Sequence, residues 1–196
     1  MDLTNKVAIV TGGGQGIGEG ICKILAKNGS TVIVTDLNSD SAKNVEKTIN
    51  SLNGKAISCK LDVTKNEESL MISQKIFDQF GKIDILVNNA AIYDGLSRQS
   101  FMDVDLGEWD RLFQVNVKGT FLCIRAVFPY MKDQGSGKII NIGSSTILNG
   151  TTGFPHYVSS KAAVWGMTRS LAKELGQYGV TVNTLAPGYT NSGAEL

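Results

Sequence analysis

The stretch Thr11-Gly12-Gly13-Gly14-Gln15-Gly16-Ile17-Gly18 constrains this 196-residue chain more than any other. It follows the apolar run Val7-Ala8-Ile9-Val10 and precedes Ile17, Ile21, Ile24 and Leu25 at helical spacing. That order predicts a strand, a glycine turn and a helix. Glycine lets the backbone bend tightly. The unpaired N–H groups and the positive dipole end of a helix N-terminus favour an anionic group such as a pyrophosphate. Glycine spacing alone is a weak signal, because such turns also serve as plain connectors. The flanking strand and helix are what point to dinucleotide binding.

The rest of the chain repeats the alternation. Strand-like runs at 31–35, 55–60, 83–87, 138–143 and 180–185 are separated by helical patterns. This predicts an α/β fold, a doubly wound parallel sheet of Rossmann type with helices on both faces and strand order 3-2-1-4-5-6. Gly29 is expected to end the first helix. Ser39 is expected to cap a helix carrying Ala42, Val45, Ile49 and Leu52, and Thr64 one with Leu70, Phe77 and Phe80 inward, ended by Gly81. Asp105 and Glu108 match a capping box. They open a long helix burying Trp109, Leu112, Phe113, Val117, Phe121 and Ile124, with Asn116 among them and Pro129 kinking or ending it. A second long helix is expected over 154–178, and 92–104 reads as a loop near the site. No linker or repeat divides residues 1–196, so one domain is expected.

Bulk properties exclude several function classes. The net charge is +1 and no block of like charges occurs, which argues against nucleic acid and acidic membranes as partners. Apolar runs are too short for a membrane span, and the first residues lack a signal peptide's apolar core. Three scattered cysteines read as reduced thiols of a cytoplasmic protein. A single histidine excludes a multi-histidine metal site, and no metal is expected.

In a doubly wound sheet the ligand crevice lies beyond the carboxyl ends of the strands. The segment 12–18, Asp36, Asp62, Asn89, Ser144 and Gly188 all fall at such ends. Asp36 lies about twenty residues past the glycine turn, where a carboxylate suits a ribose diol, although it also suits a strand-end turn. Tyr157 and Lys161 are four apart on a predicted helix and share a face. A free tyrosine titrates near pH ~10, too high for a base at neutral pH, and a nearby ammonium favours the phenolate. Taken by themselves, these two are more often a surface pair than a catalytic one and Ser144 more often a loop or cap residue, while Asp62 also suits a residue before the Thr64 cap and Asn116 a partner of a helix backbone or cap. His156 adjoins Tyr157 but points elsewhere on the helix, so a structural role is expected. Trp109 and Trp165 fit helix packing.

The combined pattern resembles the short-chain dehydrogenases/reductases over essentially the whole chain. The matching elements are Thr11-Gly12 with Gly16-Ile17-Gly18, Asp62-Val63, Asn88-Asn89-Ala90, Asn116, Ser144, Tyr157 with Lys161, and Pro187-Gly188. The resemblance implies that Tyr157 exchanges a proton with the substrate oxygen, Ser144 holds that oxygen, Lys161 also binds the nicotinamide ribose, and Asn116 holds a water. It places Gly12, Gln15, Gly16, Ile17 and Gly18 at the cofactor, Asp36 and Leu37 at its ribose, and Asp62 and Val63 at adenine. Asn89, Ala90, Ala91, Pro187, Gly188 and Thr190 complete the cofactor site. Gln15 and Leu37 are uncharged where relatives using NADP often carry a basic residue, so NAD is the expected cofactor. Ala91 replaces the usual glycine and Ser192 a frequent threonine.

Relatives continue past Pro187-Gly188 through a substrate loop, a helix and a last strand, so the natural chain is expected to extend beyond Leu196. The candidate pocket residues Ile92, Tyr93, Ser145, Ile147, Leu148, Phe154 and Tyr189 suggest a hydrophobic or aromatic secondary alcohol or ketone, as in bacterial aryl-alcohol dehydrogenases of the family. The alternatives are an NADPH ketoreductase of acyl-chain type and a nucleotide-binding protein without turnover. The two long helices imply a homo-oligomer, dimer or tetramer.

Overall fold

In the computed structural model, which describes residues 2–93, 95–96 and 98–191, β1 (Val7–Thr11) is buried at every position. A strand covered on both faces needs apolar side chains throughout, which is why this segment reads as a continuous run. Its side chains alternate between two cores. Val7 and Ile9 join Ile33, Ile72, Ile76, Ile124, Val127 and Leu175. Ala8 and Val10 join Val32, Val34, Cys22, Val45 and Ile49. The first core lies under α3 (Asn66–Phe80), α5 (Thr120–Asp133) and α7 (Pro155–Gly176), the second under α1 (Gly16–Lys27) and α2 (Ser39–Ser51).

The remaining strands are β2 (Thr31–Asp36), β3 (Lys55–Lys60), β4 (Ile85–Asn88), β5 (Gly137–Ile142) and β6 (Val180–Leu185). Among the described residues they form one parallel sheet in the order β3-β2-β1-β4-β5-β6, as expected. The chain runs outward from β1 to β3, then crosses back to pair β4 on the other side of β1. That reversal opens a crevice at the carboxyl ends of β1 and β4, where the glycine turn and Asn89 sit.

Several local expectations are corrected. Asn38, not Ser39, caps α2, accepting from the N–H groups of Asp40 and Ser41. Thr64 does not cap α3; its hydroxyl donates to Asp62. The inward face of α3 is Ser69, Ile72, Ser73 and Ile76, and Leu70 is 43% exposed. In α1 the buried positions are Gly18, Cys22 and Ala26, spaced by four, while Ile24 is 63% exposed. Small residues win there because the helix lies close against the sheet. Trp165 is 43% exposed and Phe121 41%, so neither is core.

The expected long helix is three pieces: α4 (Leu106–Leu112), a π-helical turn (Phe113–Gly119) and α5. Pro129 lies inside α5 without ending it. A one-turn helix, α6 (Thr146–Asn149), precedes α7. Within 92–104 a 3-10 turn (Phe101–Asp103) interrupts the loop.

Candidate active site

The glycine turn is built by contact as much as by conformation. Gly12 and Gly16 have φ of 61° and 56°. A Cβ on Gly18 would overlap the Gly12 carbonyl oxygen and lie 2.5 Å from Asn89 Nδ2. A Cβ on Gly14 would stand 2.8 Å from Ser41 Cβ and 2.9 Å from Asp36 Oδ2. Ile17 is half-buried in the first turn of α1. Asn89 staples the turn to β4: its Nδ2 donates to the carbonyls of Thr11 and Gly12 at 3.1 and 2.8 Å. Thr11, the first residue of that stretch, accepts at its buried hydroxyl from the N–H groups of Asn89 and Ala90.

Asp36 closes β2 beside this turn. Its Oδ2 accepts from Gly14 N–H and its Oδ1 from Asn38 N–H, both at 2.9 Å. Gln15 and Leu37 are exposed alongside. Asp62 is held by the backbone N–H and hydroxyl of Thr64 at 2.9 and 2.7 Å, and its own N–H donates to Glu68. Val63 is buried and presses on Gly119 of the π-helical turn, where a Cβ would stand 2.7 Å from it. Ala91 is exposed and Ala90 half-buried. After β6, the Pro187 carbonyl accepts from Ser145 N–H at 3.0 Å, Gly188 follows, and the Thr190 hydroxyl donates to the Gly188 carbonyl. Ser192 lies outside the described residues.

Ser144, Tyr157 and Lys161 meet at the end of β5, all buried. The Ser144 oxygen accepts from the Thr146 hydroxyl at 2.9 Å and acts on the Tyr157 phenol. Lys161 Nζ donates to the Ile142 carbonyl at 2.9 Å. Asn116 does not stand idle. Its Oδ1 accepts from Ile92 N–H at 2.8 Å and its Nδ2 donates to the Ser160 hydroxyl at 3.2 Å. It therefore ties the loop after β4 to α7.

The electrostatics correct one expectation. Burial pushes the Tyr157 phenol up to about 12, against the downward pull of its Ser144 hydrogen bond; Tyr93 adds a smaller upward push. Burial depresses the Lys161 ammonium from 10.5 to about 8, and its Nζ lies 5.9 Å from the Tyr157 ring centre. Desolvation weakens the cation and the phenolate together.

A test follows from the sign of that shift. Between pH 8 and 10.5 the unfolded chain holds the Lys161 proton and the folded chain does not, so this group makes stability rise with pH across that window. Below pH 8 its penalty is fully present. Lys161→Met is expected to stabilise the cofactor-free protein at pH 7 by about 1–3 kcal/mol while abolishing turnover. Thermal unfolding of both proteins checks it, and a melting temperature lowered in the variant contradicts the assigned penalty.

The candidate pocket residues divide. Tyr93 lies against Tyr157 with ring centres 5.2 Å apart. Phe154 is buried beneath, with Leu112 and Tyr157. Leu148 and Tyr189 are 75% and 83% exposed. His156 is fully buried, as a structural residue should be. Its partner, Glu108 on α4, was visible in the sequence only as half of a capping box. No cluster among the described residues could hold a metal ion, and no helix is long and apolar enough to cross a membrane.

The cradle suits a dinucleotide. The turn has no room for side chains where an anion would approach the backbone, and the buried Lys161 ammonium has three N–H groups against one acceptor. The comparisons agree with that geometry. Residues 6–195 match the family model described as short chain dehydrogenase. A 3-oxoacyl-[acyl-carrier-protein] reductase, FabG, of Thermotoga maritima is 36% identical over 190 residues, covering 96% of this chain and 76% of the relative. The (2S)-[(R)-hydroxy(phenyl)methyl]succinyl-CoA dehydrogenase subunit BbsD of Thauera aromatica is 38% identical over 189 residues, covering 96% and 74%. A 3-oxoacyl-[acyl-carrier-protein] reductase of Synechocystis is 39% identical over 189 residues, covering 95% and 75%. With its sheet order, its glycine cradle and its buried serine–tyrosine–lysine cluster matched along nearly the full chain, this protein belongs to the short-chain dehydrogenase/reductase family of oxidoreductases.

Proposed function

We propose that this protein reduces a 3-oxoacyl thioester to the corresponding hydroxyacyl thioester, with NADH as the hydride source. The observation that carries the reaction is the buried Ser144–Tyr157–Lys161 cluster. A phenol held near 12 carries its proton at neutral pH and is ready to protonate a carbonyl oxygen. In this reading the Ser144 hydroxyl donates to the same oxygen as negative charge develops there. Lys161, donating to a single carbonyl, has N–H groups to spare for the ribose hydroxyls. When bound, the dinucleotide supplies the hydride. The acyl-chain substrate is favoured by the two 3-oxoacyl-[acyl-carrier-protein] reductases named above, and the third relative's named substrate, though an aryl carbinol, is also a CoA thioester. Apolar side chains left exposed on α5 and α7, Phe121 and Trp165, support association of like chains.

NAD is favoured over NADP by Asp36. Its carboxylate already bonds Gly14 N–H, so it stands beside the turn, with exposed Leu37 and Gln15 offering no cation. NADP carries a phosphate of about −1.5 to −2 charges where NAD has a hydroxyl. Each unit pair at about 4 Å repels by roughly 1 kcal/mol in water and 4 at an effective dielectric of 20. The expected preference is on the order of a hundredfold in kcat/KM, narrowed by Asp36→Ala. Acetoacetyl-CoA reduction with each nucleotide, set against 1-phenylethanol oxidation, tests both halves. Equal efficiency with the two nucleotides would overturn the role of Asp36. Turnover of the aryl alcohol alone would overturn the substrate class.

A further inference from the structure

The first turn of α7 carries Tyr157, yet among the described residues no side-chain cap from its N-cap position holds it. Phe154 makes no side-chain capping bond there, and Pro155 has no N–H. What holds this turn is lateral. His156 Nε2 lies 2.9 Å from Glu108 Oε1 on α4. Trp109, next along α4, stacks on the imidazole with ring centres 6.4 Å apart and planes 23° apart. His156 Nδ1 has no hydrogen-bond partner among the described residues. The tautomer protonated at Nε2 therefore fits: it donates to the carboxylate and leaves Nδ1 as a bare acceptor, not a buried unpaired N–H. Glu108 is itself set by the start of α4, where its N–H donates to Asp105 Oδ1 at 2.7 Å. Its carboxylate reaches across to α7.

Successive residues of a helix turn by about 100°, so His156 and Tyr157 leave the same turn in different directions. Pinning one fixes the azimuth of the other. Deeper in α7 the helix is held independently. Lys161 Nζ bonds the Ile142 carbonyl, and the Thr168 hydroxyl meets Asn141 Nδ2 and the Thr184 hydroxyl, each at 2.9 Å. The His156–Glu108 bond thus governs the turn that bears the phenol and not the part that bears the lysine.

We infer that Glu108 and His156 are positioning residues for Tyr157, joining the first turn of α7 to α4 so that the phenol meets Ser144. This rests on the reading of Tyr157 as the proton donor. Displacements near 1 Å at a reacting group are costly, and the lysine's separate anchoring predicts that cofactor affinity escapes the effect.

The test uses the full chain labelled with 3-fluorotyrosine, which has five tyrosines. The Tyr157 fluorine resonance is assigned by its loss in Tyr157→Phe. In Glu108→Ala that resonance is expected to shift or broaden while those of Tyr130 and Tyr178 stay in place. Glu108→Gln, which keeps an acceptor, is expected to leave it at the parental position. Glu108→Asp, one methylene short, is a second disrupting variant with the same expected readout. With acetoacetyl-CoA and NADH, Glu108→Ala is expected to lower kcat about tenfold with NADH affinity within about twofold, and Glu108→Gln to recover most of the loss. An unmoved Tyr157 resonance in Glu108→Ala overturns the inference whether or not acetoacetyl-CoA is turned over. So does an equal loss of kcat and NADH affinity, or a glutamine variant no better than alanine. Parental turnover in Tyr157→Phe would instead sink the proton-donor reading and leave the fluorine result to judge the positioning.

Discussion

Tyr157→Phe is expected to lower kcat for ketone reduction by about a thousandfold while NADH affinity stays within about twofold. The ring keeps its packing, since Tyr157 is buried with Leu112 and Phe154 and its edge meets Phe154 at 6.3 Å between centres. Only the hydroxyl goes, and with it the proton that a carbonyl oxygen must receive. The Ser144 hydroxyl keeps its Thr146 contact, so a stability change within about 1 kcal/mol is expected. Lys161 retains its Ile142 bond, which is why the cofactor term should not move. Steady-state reduction of acetoacetyl-CoA, paired with NADH fluorescence titration, decides it. A variant within tenfold of the parent would remove Tyr157 from the chemistry.

The second large effect concerns the glycine turn. Gly18→Ala is expected to weaken NADH binding at least a hundredfold and to destabilise the fold by about 3 kcal/mol or more. The added methyl would collide with the Gly12 carbonyl and with the Asn89 amide that ties β4 to the turn. Neither can move cheaply, because one is backbone and the other is held at two carbonyls. Gly20 is the control in the same helix. Nothing lies within 4 Å of a Cβ built there. Gly20→Ala should therefore stabilise by up to about 1 kcal/mol through helix propensity, with binding unchanged. Melting temperatures and NADH affinities of the two variants make the comparison. Similar behaviour in both would show that close packing at Gly18 is not what the turn requires.

Sheet order and crevice were legible in the sequence because strand periodicity, turn glycines and the right-handed crossover rule act locally or restrict topology severely. Val7 to Val10 must be a strand covered on both faces, and the turn after it must hug its neighbours. The residues at strand ends could be named for the same reason: a parallel sheet delivers every strand's carboxyl end to one edge. Helix faces were less legible. Apolar content pointed to Ile24 and Leu70, yet small and hydroxyl residues are the buried ones, Ala26 in α1 and Ser69 and Ser73 in α3, with Ser69 against Cys123 of α5, because close approach there rewards fit over hydrophobicity.

Only the tertiary structure decided the electrostatics and the joints. Lys161 is four residues from Tyr157, and spacing alone suggests an ammonium that lowers the phenol. Burial, which no local pattern reveals, reverses the outcome by desolvating both groups. Asn116 reads as an oddity in an apolar stripe until the fold brings Ile92 and Ser160 to its amide. Glu108 reads as part of a cap until α7 crosses α4 and offers His156. Hydrogen bonds between residues distant in sequence depend on how helices cross, and side-chain pattern along one helix carries no record of its neighbour.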